Sequence, residues 1–82
     1  MADLDEVITR MEELQDADTV PSNVRDLLQE SIEALEDSDE ELSVRVNTAT
    51  SFLDEISNDP NIAQHTRTEV WNIASMLESL ED

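Results

Sequence analysis

The sequence predicts an all-α protein, specifically a four-helix antiparallel up-and-down bundle. Apolar residues recur at steps of three and four in four separate stretches, which is the spacing of one helix face. Polar corners separate these stretches, and two of the corners contain proline. Glycine is absent, which disfavours tight β-hairpins because their turns prefer Asn-Gly or Asp-Gly. Amphipathic helices joined by short connections are typical of such a bundle, and we expect one domain over residues 1–82.

The first two helices are predicted over residues 3–15 and 21–36. Asp3, with Glu6 three residues later, forms an aspartate version of the capping box that starts a helix. Pro21 suits a first helical turn, where its missing N–H would have no partner in any case. The second helix has the broader apolar stripe, as expected of a helix with two neighbours. The two stripes are Leu4, Val7, Ile8, Met11 and Leu14, then Val24, Leu27, Leu28, Ser31, Ile32, Ala34 and Leu35.

The third and fourth helices are predicted over residues 39–57 and 66–80. Ser38 with Glu41 and Thr66 with Glu69 match the capping box and mark the two starts. Pro60 ends the third helix, because the residue before a proline disfavours the helical conformation. Residues 60–65 form either a short helical turn or an irregular link. The stripes are Leu42, Val46, Ala49, Leu53 and Ile56 with Phe52, then Val70, Ile73, Ala74, Leu77 and Leu80 flanked by Trp71 and Met76.

The charge of the chain is extremely one-sided. It has 22 acidic residues and four basic ones, a formal net charge of −18, and all four bases are arginine. Such self-repulsion opposes compaction, but at molar salt the Debye length is only about 3 Å and the repulsion is screened. A disordered acidic segment is the alternative. The regular apolar spacing instead favours a folded, halophilic protein from a salt-accumulating cytoplasm.

Several classes of function are disfavoured by composition. Without cysteine there is no thiolate nucleophile or zinc–thiolate site, and without glycine there is no dinucleotide or Walker loop. Calcium loops beginning at Asp16 or Asp37 fail, because Pro21 and Leu42 occupy the position that needs glycine. We therefore expect no enzyme, cofactor or specific metal, only hydrated cations along the acidic surface. No apolar run approaches the roughly 18 residues of a membrane span, and no signal peptide is evident, so we expect a cytoplasmic protein without membrane contact.

Two long runs resemble a known family. They are the run from Glu41 to Ala49 (ELSVRVNTA) and the run from Asp59 to Ile73 (DPNIAQHTRTEVWNI). The opening MADLDEVITRMEEL and the corner VPSNVR are similar too, so the resemblance covers nearly the whole chain. The chain resembles the archaeal uncharacterised protein family 0147. The resemblance implies an all-helical four-helix bundle in an archaeal cytoplasm and no activity. The acidic, lysine-free composition departs from the family pattern and suggests a haloarchaeal member.

The distribution of acids predicts an interaction surface. Residues 1–42 contain 15 acids and residues 43–82 contain seven, and the runs 43–53, 60–68 and 70–77 contain none. Interface cores are depleted in charge, so we expect the third and fourth helices to bind a protein partner or a second copy. The simpler alternative is that the second half is more buried within the monomer. The candidate partner-binding residues are Arg45, Asn47, Thr48, Thr50, Ser51, His65, Arg67, Trp71, Asn72 and Ser75.

The basic residues leave two further alternatives open. Arg45 and Arg67 could contact phosphate in an accessory nucleic-acid or ribonucleoprotein-associated factor, although the net charge disfavours nucleic acid. They could instead be structural, since Glu6–Arg10 and Glu41–Arg45 have the spacing of helical ion pairs. His65 is better explained by packing or capping at its corner. A Glu-x-x-His metal motif would need glutamate at position 62, which is Ile62.

Overall fold

The computed structural model describes residues 3–80 and contains four α-helices in that range: α1 (Leu4–Gln15), α2 (Ser22–Glu36), α3 (Leu42–Ser57) and α4 (Gln64–Ser79). No strand occurs within these residues. The predicted all-α class and the number of helices are confirmed.

The helices form a ring in which each contacts two neighbours. Helix α2 packs most extensively against α3, and α3–α4, α1–α2 and α1–α4 complete the ring. Arg45 at the start of α3 reaches the Leu35 carbonyl near the end of α2, and Arg67 near the start of α4 reaches the Ser57 carbonyl at the end of α3. Consecutive helices therefore run antiparallel, as an up-and-down bundle requires. The body measures 33 × 23 × 20 Å.

The core follows the predicted stripes, with two additions from the connections. Val20 and Ile62 lie between helices, yet they are 2% and 6% exposed and belong to the main apolar cluster. Leu42, predicted in the stripe of α3, is 37% exposed. The buried apolar residues of the helices are Val7, Met11, Leu14, Val24, Leu28, Ile32, Leu35, Val46, Ala49, Leu53, Ile56, Val70, Ile73 and Leu77.

The predicted starts of α3 and α4 are wrong. Helix α3 begins at Leu42 rather than at residue 39, and Glu41, not Ser38, is its N-cap. Helix α4 begins at Gln64, before the predicted start at Thr66. Thr66 is only 1% exposed and points into the core, so it cannot cap. Residues 60–62 form a turn and bend rather than a separate helix. The Asp3 cap is confirmed, because its Oδ1 accepts a 2.8 Å bond from the Glu6 amide.

At three helix starts an arginine binds the segment that precedes the helix. The N-cap residues of α2, α3 and α4 make no side-chain capping bond. Arginine is instead the fourth residue of each of these helices, and its guanidinium donates to backbone carbonyls in the preceding connection or helix end. Such carbonyls lack intrahelical partners, and a cation near a helix C-terminus is favoured. Each of these arginines therefore clasps its helix to the segment before it.

The end of the bundle that holds the α1–α2 and α3–α4 connections is tied across by Asp59. Its Oδ2 accepts a 3.0 Å bond from the Asn23 side chain on α2, and its Oδ1 accepts a 2.8 Å bond from the Asn61 amide. The Asn61 amide, the Asn23 side chain and then the Arg67 charge hold the pKa of Asp59 below its ordinary value of 3.8. The ionised carboxylate therefore favours the folded connection.

Candidate interaction surface

The two sides of α4 can be assigned from their partners. Arg67 donates to the Ser57 carbonyl of α3, so its side of the helix faces α3. Residues four, seven and eleven positions on, namely Trp71, Ala74 and Glu78, lie along the same side. Glu69 forms an ion pair with Arg10 on α1, so the opposite side faces α1. Trp71 and Asn72, although adjacent in sequence, therefore lie on different sides of α4.

The two sides of α3 separate in the same way. Arg45 and Phe52 are half-buried along the edge that faces α2, as the bond from Arg45 to the Leu35 carbonyl shows. Thr50 is half-buried along the other edge, which faces α4. Asn47 lies three residues before Thr50, close to the α4-facing edge, and is exposed. Ser43, which was not among the predicted residues, is exposed on the same edge.

Six of the ten predicted residues come together on one face, which we call the α3–α4 face. Its members are Asn47, Thr50, Ser51, Arg67, Trp71 and Ser75. The remaining four lie elsewhere. Arg45 is at the α2 edge, Thr48 points outward and towards α2, and His65 and Asn72 are on the α1 side of α4. The α3–α4 face is therefore narrower than the surface that the sequence predicted.

Trp71 is the most conspicuous side chain of this face. It is 53% exposed, and Leu42 and Val44 are the other large hydrophobic residues exposed within residues 3–80. All three belong to α3 or α4. Burial of the second half of the chain therefore does not by itself explain its shortage of acids, because uncharged and apolar side chains there face solvent. Tryptophan is also among the residues that contribute most to binding at protein interfaces.

The arginines of the candidate set are bound within the chain. Arg67 donates to the carbonyls of Ser57 (3.0 Å) and Asp59 (2.9 Å), and Arg45 to those of Glu40 (2.8 Å) and Leu35 (3.4 Å). These bonds support the structural interpretation and leave fewer donors for phosphate. The partners nevertheless differ from those predicted: neither Glu6–Arg10 nor Glu41–Arg45 forms, and Arg10–Glu69 at 3.6 Å is the ion pair found between residues 3 and 80.

His65 lines a cleft that the sequence did not predict. The cleft lies between α1 and α4, has a volume of about 300 Å³, and is bordered by Arg10, Glu13, Leu14, Ala17, His65 and Glu69. Its polar groups come from two helices that are far apart in sequence, so no local pattern indicates it. Glu13 and Glu69 offset the positive charge of Arg10 there, and the cleft has no strong preference for an anion.

Two structural findings bear on the classes of function considered above. Within the part of the chain that the structure describes, no three acidic or histidine side chains converge on a point where they could bind a metal ion. Over the same residues, none of the helices combines the length and apolar character needed to cross a membrane.

The fold and the α3–α4 face define a class: a small four-helix bundle with a strongly acidic surface and one face that is poor in acids. A model of the uncharacterised protein family UPF0147 matches residues 1–80, and the chain belongs to this family. It is 49% identical to a UPF0147 protein of Methanothermobacter thermautotrophicus over 84% of this chain and 68% of the relative. It is 44% identical to a Thermoplasma volcanium relative over 92% of this chain and 84% of that protein.

Solved structures share the fold. The crystal structure of a UPF0147 protein from Thermoplasma acidophilum superposes with a TM-score of 0.88 at 43% identity, covering 93% of this chain and 89% of that chain. A second crystal structure, of a protein of unknown function, gives 0.90 at 40% identity over 96% of this chain and 90% of that chain. The predicted family is confirmed, its relatives come from several archaea, and none of these matches indicates a catalytic family.

Proposed function

We propose that this chain is a non-enzymatic interaction protein that binds a protein partner, or a second copy of itself, through the α3–α4 face. The observation that carries the proposal is Trp71, which is half-exposed within the acid-free run 70–77 of a strongly acidic chain. An aromatic side chain contributes more to stability when it is buried than when it faces water. A partner that covers Trp71 therefore removes apolar surface from water.

We propose further that the protein works in a salt-rich archaeal cytoplasm, as a haloarchaeal member of its family would. The net charge of −18 on 82 residues, with no lysine, supports this environment. Molar salt screens the repulsion between the acids on α1 and α2. Circular dichroism in molar KCl should therefore show more helix and a higher melting temperature than in dilute buffer. Full helicity and the same melting temperature without salt would contradict the proposed environment.

A pair of matched variants tests the interaction. Asn47→Glu places a carboxylate on the α3–α4 face, whereas Thr48→Glu adds the same charge one residue away on the exposed α2-facing side. Light scattering reports self-association, and co-purification from an archaeal extract at molar KCl followed by mass spectrometry reports a partner. We expect Asn47→Glu to abolish the complex and Thr48→Glu to preserve it. If both variants bind as the natural protein does, another surface carries the function.

A further inference from the structure

Two acidic positions border the uncharged residues of the α3–α4 face. Asp54 and Glu55 are exposed one turn beyond Ser51, and Glu78 is exposed one turn beyond Ser75. The bond from Arg67 to the Ser57 carbonyl sets these two residues at the same level of the bundle. At 1.5 Å per residue along antiparallel axes, Asp54 and Glu78 are then separated by roughly 12 Å along the bundle. By the same measure Trp71 lies close to the level of Asp54, and Thr50, Ala74 and Ser75 lie between the levels of Asp54 and Glu78.

Between residues 3 and 80, no arginine is left free to pair with these acids. The four basic residues of the chain are all arginine, and each is bound to a group of the same chain. Arg25 donates to the Val20 carbonyl, Arg45 and Arg67 donate to the carbonyls given above, and Arg10 pairs with Glu69. A second copy docked on the α3–α4 face would therefore bring carboxylates to Asp54 and Glu78 and no base to meet them. Like charges facing each other across an interface act against the wrong partner.

The proposed function allows either a protein partner or a second copy of the chain, and these observations favour a different protein. We infer that the α3–α4 face binds an amphipathic helix of a basic protein, with lysine or arginine about two turns apart on either side of an apolar centre. Two turns of helix span about 11 Å, which matches the separation of Asp54 and Glu78. The apolar centre covers Ala74 and the exposed ring of Trp71, with the half-buried Thr50 beside them. Amphipathic helices commonly bind a partner through their apolar face.

This inference rests on the proposed function and can be tested in isolation from it. The probe is a synthetic amphipathic helix that contains no tryptophan. It has a face of alanine and leucine and two lysines two turns apart. A control peptide has glutamate in place of both lysines. Trp71 is the only tryptophan of the chain, so its fluorescence reports the occupied face directly. The titration is made at the lowest KCl concentration at which circular dichroism shows the natural protein folded.

Two double variants separate local from overall charge. Asp54→Asn with Glu78→Gln neutralises the two acids on which the inference rests. Asp26→Asn with Glu12→Gln removes the same two types of charge from exposed sites on α2 and α1. We expect saturable binding of the lysine peptide with a blue shift of Trp71, about tenfold weaker in the first variant and nearly unchanged in the second. The glutamate peptide should not bind.

Three results would overturn the inference. They are equal binding of the two peptides, equal weakening by the two double variants, or no saturable change in Trp71 fluorescence. If the natural protein instead associates with itself and shields Trp71 from acrylamide as its concentration rises, the basic helix is excluded while the proposed function stands. If Trp71 remains accessible to acrylamide in the presence of the peptides, at high protein concentration and in the archaeal extract, the inference and the proposed function both fail.

Discussion

The guanidinium of Arg67 should stabilise the fold through bonds that a surface ion pair does not provide. It donates to two half-buried carbonyls, of Ser57 at 3.0 Å and of Asp59 at 2.9 Å, and to the Gln64 side chain at 3.3 Å. Arg67→Met keeps most of the aliphatic stem and removes every donor. The change leaves the end of α3 and the α3–α4 connection without their cation.

The expected loss follows from these contacts. A hydrogen bond from a charged group contributes about 1.5–3 kcal/mol, and partial exposure places the two carbonyl bonds of Arg67 near the lower end of that range. We expect Arg67→Met to lower the free energy of unfolding by about 2–3 kcal/mol. For a domain of this size, each kcal/mol corresponds to a fall in melting temperature of about 4–8 °C.

Arg10→Met is the matched control. It removes the same charge from the same chain, so the change in overall repulsion is shared. Arg10, however, makes only a 3.6 Å ion pair with Glu69, and the two side chains are 47% and 43% exposed. Such a pair contributes at most about 1 kcal/mol. Arg67→Lys should fall between the two, because an ammonium keeps the charge but cannot bridge carbonyls as the planar fork does.

Urea unfolding in molar KCl, followed by circular dichroism, gives the free energy of unfolding of each of the three variants. Urea is the suitable denaturant because it leaves the ionic strength unchanged. Arg67→Met should lie about 2 kcal/mol below Arg10→Met, with unchanged m-values. Equal losses for Arg67→Met and Arg10→Met would refute the reasoning, since they would show that only the overall charge matters.

Three other changes test the core and the tied end of the bundle. Thr66→Val should raise the free energy of unfolding, measured with urea, by about 1 kcal/mol. The reason is that the buried Oγ1 of Thr66 has no hydrogen-bond partner, while valine has the same shape. A fall in the free energy of unfolding of similar size would contradict this. Ile62→Ala should lower the free energy of unfolding by about 2–3 kcal/mol, as expected of a core residue. Val44→Ala, at an exposed position, should lower it far less. Similar losses for the two variants would show that Ile62 does not contribute as a core residue. Because the pKa of Asp59 is lower in the folded state, its contribution is present above pH 3.8 and is lost as the pH falls through the folded pKa. The stability advantage of the natural protein over Asp59→Asn should therefore shrink as the pH falls below about 3.8, and a constant difference would show that the carboxylate contributes nothing specific.

The helices were predictable because their signals are local. The apolar steps that run from Val24 to Leu35 and from Val46 to Ile56 identify a buried face without knowledge of any neighbour. The starts of α3 and α4 were less predictable. Ser38 and Thr66 match a capping box, yet neither caps a helix. Helix α3 begins after Glu41, where Arg45 binds the preceding connection, and Thr66 is buried within α4. The fourth-position arginine is visible in the sequence, although its acceptors are not.

The candidate surface was also predictable only in part. The shortage of acids on α3 and α4 is a property of the sequence, and in the structure most of the exposed residues of these two helices are uncharged. The separation of Trp71 from Asn72, and of Asn47 from Arg45, depends on which helix lies on each side. The cleft beside His65 depends on the contact between α1 and α4, which close the ring from opposite ends of the chain.

The sequence by itself determined four amphipathic helices, an acidic body and an acid-poor second half, because spacing and composition can be read from the chain alone. The tertiary structure alone decided that Val20 and Ile62 complete the core, that Arg25, Arg45 and Arg67 bind carbonyls, and that Trp71 is exposed on the α3 side of α4. The physical reason is that these contacts join residues from different helices and connections. Their energies depend on burial and geometry, which exist only once the ring of helices has closed.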